Sequence, residues 1–216
     1  MDLKKDRCVV IGSGQYCRFM INVIEETENV ECIGYTSIDG KKSFEIKKYD
    51  CLGDDDFIYK NKDKFDSVFP AVGNLAIRKK IIQNLIKMDI NVTSVIHPRS
   101  YQSSTSKISN SSLMSGSHLS NDVDIGKYSV IGTGTYVHHN TKIGMNTLVG
   151  GGSQIGASAI IGDNVLFGIG SVVASQKNIN IGSNSIITSG AVVLNDIPEN
   201  SMVMGNPARV IKNLNE

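Results

Sequence analysis

Two adjacent histidines, His138 and His139, stand in the stretch YVHHNTKIG (residues 136–144), inside a charge-poor run of repeated Ile-Gly pairs. Imidazole titrates near neutral pH, so it can take a proton from a reacting group or return one, and it also ligates metals. The spacings from 118 to 138 and from 138 to 139 do not form a ligand set, so no metal is expected. His97 and His118 are isolated and read as solvated surface residues. A second place for chemistry is the turn GSGQYC (residues 12–17), where an apolar run ends in Gly12 and Gly14. Backbone N–H groups there can face a phosphate at a helix N-terminus. A dinucleotide fingerprint would need a third glycine at Cys17 and an acid where Thr36 and Ser37 stand, so NAD is not expected.

The elements that position these groups fall into two halves. Of the 43 charged residues, 31 lie in residues 1–100. There RCVVI, VECIGY, DSVFPAVG and NVTSVI read as strands. QYCRFMINVIEE, with Phe19, Val23 and Ile24 on one side, and NLAIRKKIIQNLIKM read as helices. Strands alternating with helices imply a small parallel α/β sheet, and His97-Pro98 punctuates its end. From residue 101 to 216 large apolar residues recur every six positions: Leu113, Leu119, Ile125, Ile131, Val137, Ile143, Val149, Ile155, Ile161, Phe167 and Val173, then Ile181, Ile187 and Val193 after an eight-residue step. Glycine follows many of them, which suits a corner where a side chain would clash or where φ is positive. A period of six predicts a parallel β-helix of triangular coils, three hexads to the turn, in which residues 18 apart stack. In that phase Val137 points inward, His138 takes a corner that glycine holds elsewhere, and His139 points outward. The scaffold has no use for either imidazole.

Composition narrows the partners. The formal net charge is +1, which gives no electrostatic case for nucleic acid or an anionic membrane. No stretch approaches the roughly 20 apolar residues of a spanning helix, and the start lacks a signal-peptide core, so a cytoplasmic location is expected. All four cysteines lie in the first quarter without CxxC spacing and read as reduced, buried small residues.

VVIGSGQYC, AVGNLAIRKKI, SVIHPRS, the hexads and the closing VMGNPARVI together resemble the left-handed β-helix acyltransferases that carry an N-terminal Rossmann-like domain. These include the nucleotide-sugar N-acetyltransferases of bacillosamine-type pathways and the sialic acid O-acetyltransferases. The resemblance covers the whole chain. It implies an α/β Rossmann-like nucleotide-sugar-binding domain over 1–100 and an all-β left-handed parallel β-helix over 101–216. It also implies a homotrimer that uses acetyl-CoA as co-substrate and acts on a nucleotide-linked amino sugar, a UDP-4-amino sugar first, for surface glycan.

The family's outward His followed by an acid falls on His139 and Asn140, so His139 is the candidate base and a neutral amide replaces the orienting carboxylate. Direct transfer is expected, with backbone N–H groups of Gly150, Gly151 and Gly152 for the oxyanion. By the same resemblance the acceptor contacts Gly12, Gly14, Gln15, Tyr16, Thr36, Ser37, Gly73, Asn74 and His138. Arg78 either reaches a phosphate or stands in solvent, and His138 is either such a contact or a corner substitution that packs on a neighbouring subunit. Acetyl-CoA is assigned to Leu148, Gly152, Gly168, Ile169, Gly170, Ser189, Pro207 and Arg209, with Leu148 where the family often has a histidine. A sialic acid O-acetyltransferase and a catalytically silent β-helix are the alternatives.

Overall fold

The computed structural model describes residues 5–42, 46, 48–175 and 178–215. It comprises two compact units that part between Pro98 and Arg99. The N-terminal unit runs β1 (Asp6–Ile11), α1 (Gln15–Glu25), β2 (Val30–Thr36), α2 (Asp56–Lys60), β3 (Ser67–Pro70) and α3 (Leu75–Lys87). The three strands form one parallel sheet in the order β2-β1-β3. β1 lies in the middle, and its Cys8, Val9, Val10 and Ile11 are buried, which is why this strand reads as an unbroken apolar run. The expected fourth strand shrinks to a single bridge between Val68 and Val92, because only Val68 exchanges backbone hydrogen bonds there, with Asn91 and Thr93. On α1 the buried face is Cys17, Met20, Ile21, Val23 and Ile24. Phe19 is instead exposed, its ring stacked beside that of Tyr16.

The four cysteines are free, three buried and Cys51 partly so. Burial pushes the Cys17 thiol up to about 12 and the Cys32 thiol up to about 11, so both are unreactive at neutral pH.

The C-terminal unit is a parallel β-helix of two-residue strands on three faces. Face I stacks Tyr101–Gln102, His118–Leu119, Tyr136–Val137, Gln154–Ile155, Val172–Val173 and Val192–Val193. Face II pairs Ile125, Ile143 and Ile161, and face III pairs Ile131, Val149 and Phe167, each 18 residues apart. After residue 173 the step lengthens to 20, so Ile161 meets Ile181 and Phe167 meets Ile187. The two extra positions fall between Val173 and Ile181, a stretch that includes residues 176–177, which lie outside the described residues. Every inward hexad residue belongs to one continuous core. Face III ends in an antiparallel pair, Ser201–Met204 with Arg209–Asn213.

Where glycine follows an inward residue, it is needed for space. A Cβ on Gly156 would sit 2.5 Å from the Val173 carbonyl oxygen in the next coil, and one on Gly168 would sit 2.3 Å from the Ser189 nitrogen. Positive φ recurs every six residues at a different place, two positions later: Asn110, Gly116, Asp122, Tyr128, Gly134, Asn140, Asn146 and Gly152. Asn and Asp tolerate that left-handed conformation, and other L residues pay for it. Two substitutions separate the two needs. Gly156→Ala should lower stability by about 1–3 kcal/mol through overpacking. Gly134→Asn, at φ +65 with nothing within 4 Å of its absent Cβ, should stay within about 0.5 kcal/mol of the parent. Denaturant unfolding of the two proteins checks this, and equal losses would contradict it.

Candidate active site

In the N-terminal unit the carboxyl ends of the three strands share one edge, where ligands bind in open parallel α/β sheets. There the turn after β1 abuts the loop after β3. A Cβ on Gly12, at φ +130, would lie 2.8 Å from the Ala71 carbonyl oxygen, so glycine is obligatory. Gly14 and Gly73 differ: neither has positive φ, and a Cβ on either would meet nothing within 4 Å. The fold does not require glycine at either position, and the space in front of both is open to a ligand. Gly14 caps α1 without a side-chain bond, and Gln15 and Tyr16 open that helix. Asn74 caps α3, its side chain accepting from the Ile77 N–H at 3.1 Å. Two helix N-termini with positive dipole ends therefore face this edge.

Other assigned residues are spent inside the unit. Arg78 is 1% exposed, and its Nε donates to the Pro70 carbonyl at 3.2 Å. It ties α3 to the end of β3 and does not stand in solvent. Burial lowers its pKa, and burial raises that of the Tyr16 phenol, with each group opposing the shift of the other. Thr36 and Ser37 are buried, so neither faces a ligand directly. The Ser37 hydroxyl donates to the Lys41 carbonyl at 2.9 Å, and the Thr36 hydroxyl donates to Asp55 Oδ1 at 2.7 Å. Asp55 thus brings a carboxylate to the end of β2, where the sequence shows none. No sequence spacing flags it, since the loop that returns it spans 19 positions. His97 is likewise not solvated: it is 2% exposed, with Nε2 2.8 Å from Glu26 Oε2.

In the β-helix, Val137 is buried, His138 half-buried and His139 exposed, in the expected phase. Along the corner column of His138 stand Ser120, Gly156 and Ala174, so this corner admits side chains except where the next coil crowds Gly156. The scaffold does use His138. Tyr101, His118 and Tyr136 are in register on face I, with ring centroids 4.4 and 4.3 Å apart, and the His138 ring closes the ladder 4.5 Å from Tyr136. His118 is therefore a stacked ring and not a solvated one. Burial, then the neighbouring His139 and His118, hold the pKa of His138 below the ordinary imidazole value. Asn140 has φ 59, the left-handed position held by Asp122 and Ser158 in the adjacent coils, and its amide nitrogen lies 3.3 Å from His139 Nδ1.

Two further corners of the glycine column complete the picture. Gly150, Gly151 and Gly152 stack below Gly168, Ile169 and Gly170, with Ser189 above and Ile169 71% exposed at the tip. The Gly150 and Gly152 N–H groups already donate, to Phe167 and Thr133, so of the three expected oxyanion donors Gly151 remains. Leu148 is buried on face III, between Val130 and Leu166. At the end of face I the Asn206-Pro207 bond is cis, the Ala208 N–H donates to Val192, and Pro207 and Arg209 are exposed. Among the described residues no cluster of three or more His, Cys, Asp or Glu is placed to hold a metal, and no helix is long and apolar enough to cross a membrane.

With this geometry in hand, comparison with known proteins is informative. Residues 7–85 match the PglD N-terminal domain. The chain is similar in fold to a mutant perosamine N-acetyltransferase from Caulobacter crescentus, solved with CoA and GDP-perosamine. The TM-score is 0.88 at 21% identity, covering 98% of this chain and 100% of that one. The acetyltransferase domain of PglB from Neisseria gonorrhoeae, solved with acetyl coenzyme A, gives 0.86 at 20% identity, covering 96% and 100%. At these identities the likeness is one of fold: a PglD-type unit followed by a β-helix, as in both proteins. Serine acetyltransferase 2 of Arabidopsis thaliana is 44% identical over 39 residues, which is 18% of this chain and 12% of that protein. The chain spans less than a fifth of the length of the curated relatives it matches.

The ladder carries a pH consequence. Unfolding restores an ordinary imidazole that binds a proton more readily than folded His138, so this residue lowers stability as pH falls through the ordinary histidine value. Tyr136→Ala should expose His138 and raise its titration midpoint toward that value, followed by NMR of the imidazole signals. A midpoint that stays or falls would contradict the stacking account.

Proposed function

We propose that this protein is an acetyl-CoA-dependent N-acetyltransferase acting on the amino group of a nucleotide-linked sugar, with a UDP-4-amino sugar as first choice, in surface glycan biosynthesis. The observation that carries the reading is the exposed imidazole of His139, steadied at Nδ1 by Asn140, on a β-helix without a cysteine. A protonated amine cannot attack a thioester, so transfer needs a base, and no thiol is at hand for an acyl-enzyme. His139 Nε2 takes the proton as the sugar nitrogen bonds to the acetyl carbonyl carbon. The Gly151 N–H supports the oxyanion, the C–S bond then breaks, and the imidazolium returns its proton to the CoA thiolate. The amide nitrogen faces Nδ1, which leaves the ring proton on Nε2; for Nε2 to be the basic nitrogen the Asn140 amide turns over so that Oδ1 accepts the Nδ1 proton. The neighbours that share the fold were solved with CoA, acetyl coenzyme A and GDP-perosamine, which supports the substrate class.

In the PglD-type unit, Gly14, Gln15 and Tyr16 with Gly73 and Asn74 form the nucleotide-sugar edge. The α1 N-terminus takes the diphosphate. In the β-helix the acetyl-CoA residues are Gly152, Gly168, Ile169, Gly170 and Ser189 on the glycine corner, with Leu148, Pro207 and Arg209. The His139 corner and the glycine corner border opposite edges of face I, six residues and so on the order of 20 Å apart. A base must come within hydrogen-bond reach of the reacting amine. A second copy that brings its glycine corner to this His139 corner resolves the mismatch, and we take the assembly to be a homotrimer.

A thiol-release assay with acetyl-CoA and UDP-, dTDP- and GDP-linked amino sugars tests the reading. Turnover with one of them should fall about 10²–10⁴-fold in His139→Ala. Release with none, or release with free sialic acid instead, would overturn it. Asn140→Asp keeps a residue suited to left-handed φ, as Asp122 shows at φ 57, and supplies the carboxylate that stabilises imidazolium. It should raise kcat severalfold without lowering the melting temperature, and a loss of rate in the folded variant would contradict the orienting role of this side chain. Light scattering should return three times the 23.4 kDa chain mass, and a monomer would contradict the shared site.

A further inference from the structure

The tautomer of His139 needs more than Asn140 can decide alone. A primary amide presents an acceptor at one end and donors at the other, so by itself it serves either tautomer of the neighbouring imidazole. The Asn140 nitrogen lies 3.3 Å from His139 Nδ1, the orientation that leaves the ring proton on Nε2. Some group must hold the amide turned over. The strands on both sides of this corner pair at a spacing of 18, Tyr136 with His118 before it and Lys142 with Asp124 after it. The corner itself keeps that register, since the Asn140 N–H donates to the Asn121 carbonyl at 3.0 Å. Asp122 and Asn140 therefore stand one coil apart, about 4.8 Å, with φ of 57 and 59. At the corner between faces II and III, side chains on such stacked left-handed positions reach one another from coil to coil. Asn146 Nδ2 donates to Asn164 Oδ1 at 3.0 Å, Asn164 to Asn184 at 3.2 Å and Asn184 to Asn200 at 3.1 Å. Asp122 is exposed, and its N–H is spent on the Thr105 hydroxyl at 3.0 Å. Among the described residues nothing takes its carboxylate.

We infer that Asp122 is a positioning residue for the base: its carboxylate accepts from Asn140 Nδ2 across one coil and holds the amide with Oδ1 on the His139 Nδ1–H. The inference rests on the acetyl-transfer reading above and deepens it, because it returns to the site the negative charge that Asn140 lacks. An ionised acceptor makes a hydrogen bond roughly twice as strong as a neutral one. Ser158, one coil on in the same column, offers only a neutral hydroxyl. Asp122 therefore sets the direction of the amide, and the amide sets the tautomer of the ring. When His139 Nε2 takes the proton from the sugar amine, imidazolium, amide and carboxylate form one chain with opposite charges at its ends.

Nitrogen-15 NMR of the imidazoles in the full-length protein, at a pH where they are neutral, tests this without any substrate. His139 in the parent should carry its proton on Nδ1. Asp122→Asn, which suits the same left-handed φ, should move that proton to Nε2 with the melting temperature unchanged. In the thiol-release assay the same variant should lower kcat about tenfold, the usual weight of a hydrogen bond to a charged group, with the KM for acetyl-CoA unchanged. Adding Asn140→Asp, which brings a carboxylate to Nδ1 directly, should restore both the tautomer and the rate. A parent His139 protonated on Nε2, or an Asp122→Asn variant that keeps the parent's tautomer, would overturn the role of Asp122 and leave the acetyl-transfer reading standing. No thiol release by the parent with any nucleotide amino sugar, whatever the tautomer, would overturn that reading instead.

Discussion

The backbone ladder between successive coils is the constraint on which the β-helix depends. Each two-residue strand hydrogen-bonds to the strands one coil away, 18 residues over most of the β-helix and 20 in its last coils, and the inward residue of each hexad fills the core between them. A shift of one residue would turn every buried side chain outward, so apolar packing fixes the register tightly. Everything of chemical interest follows from that phase. With Val137 inside, the next residues must round a corner, and His138, His139 and Asn140 are what the corner presents. The glycine column and the aromatic ladder on face I are set by the same register, one at the far edge of the face and the other across it.

The N-terminal unit obeys a different rule. Three parallel strands with β1 in the centre place all their carboxyl ends together, and close backbone approach at Gly12 brings the β1 and β3 loops into contact. The polar groups that the unit buries are committed to holding this edge. Arg78 fastens α3 to Pro70, and Thr36 fastens both the glycine turn and Asp55. In front of Gly14 and Gly73 the space is left open.

The period-six pattern was legible because burial dictates it at each step, and the strand and helix runs of the first half followed from the same apolar logic. The phase of His138 and His139 was also readable from their distance to Val137. Long-range pairings were not. Nothing local in the sequence tells that Arg78 and His97 are buried, that His118 stacks between tyrosines 17 and 18 residues away, or that Asp55 returns to Thr36. Phe19 shows the converse error, since helical spacing marks a face without saying which residue at its margin stays wet. Asn140 looked like a departure from a catalytic pattern, yet the turn itself asks for a residue tolerant of positive φ, and asparagine answers that need throughout the coils. The two kinds of corner glycine, crowded and left-handed, likewise share a letter and are told apart only by the approach of the next coil.

The claim that ties these observations together is that His139 is the base in acetyl transfer. The pH dependence of kcat/KM for the parent enzyme beside His139→Ala, measured with the nucleotide amino sugar that turns over fastest, tests it most directly. The account predicts that the parent loses activity on the acid side through one ionisation of the free enzyme and that the residual activity of the variant lacks that ionisation. The same acid limb in both proteins, at comparable rates, would contradict it.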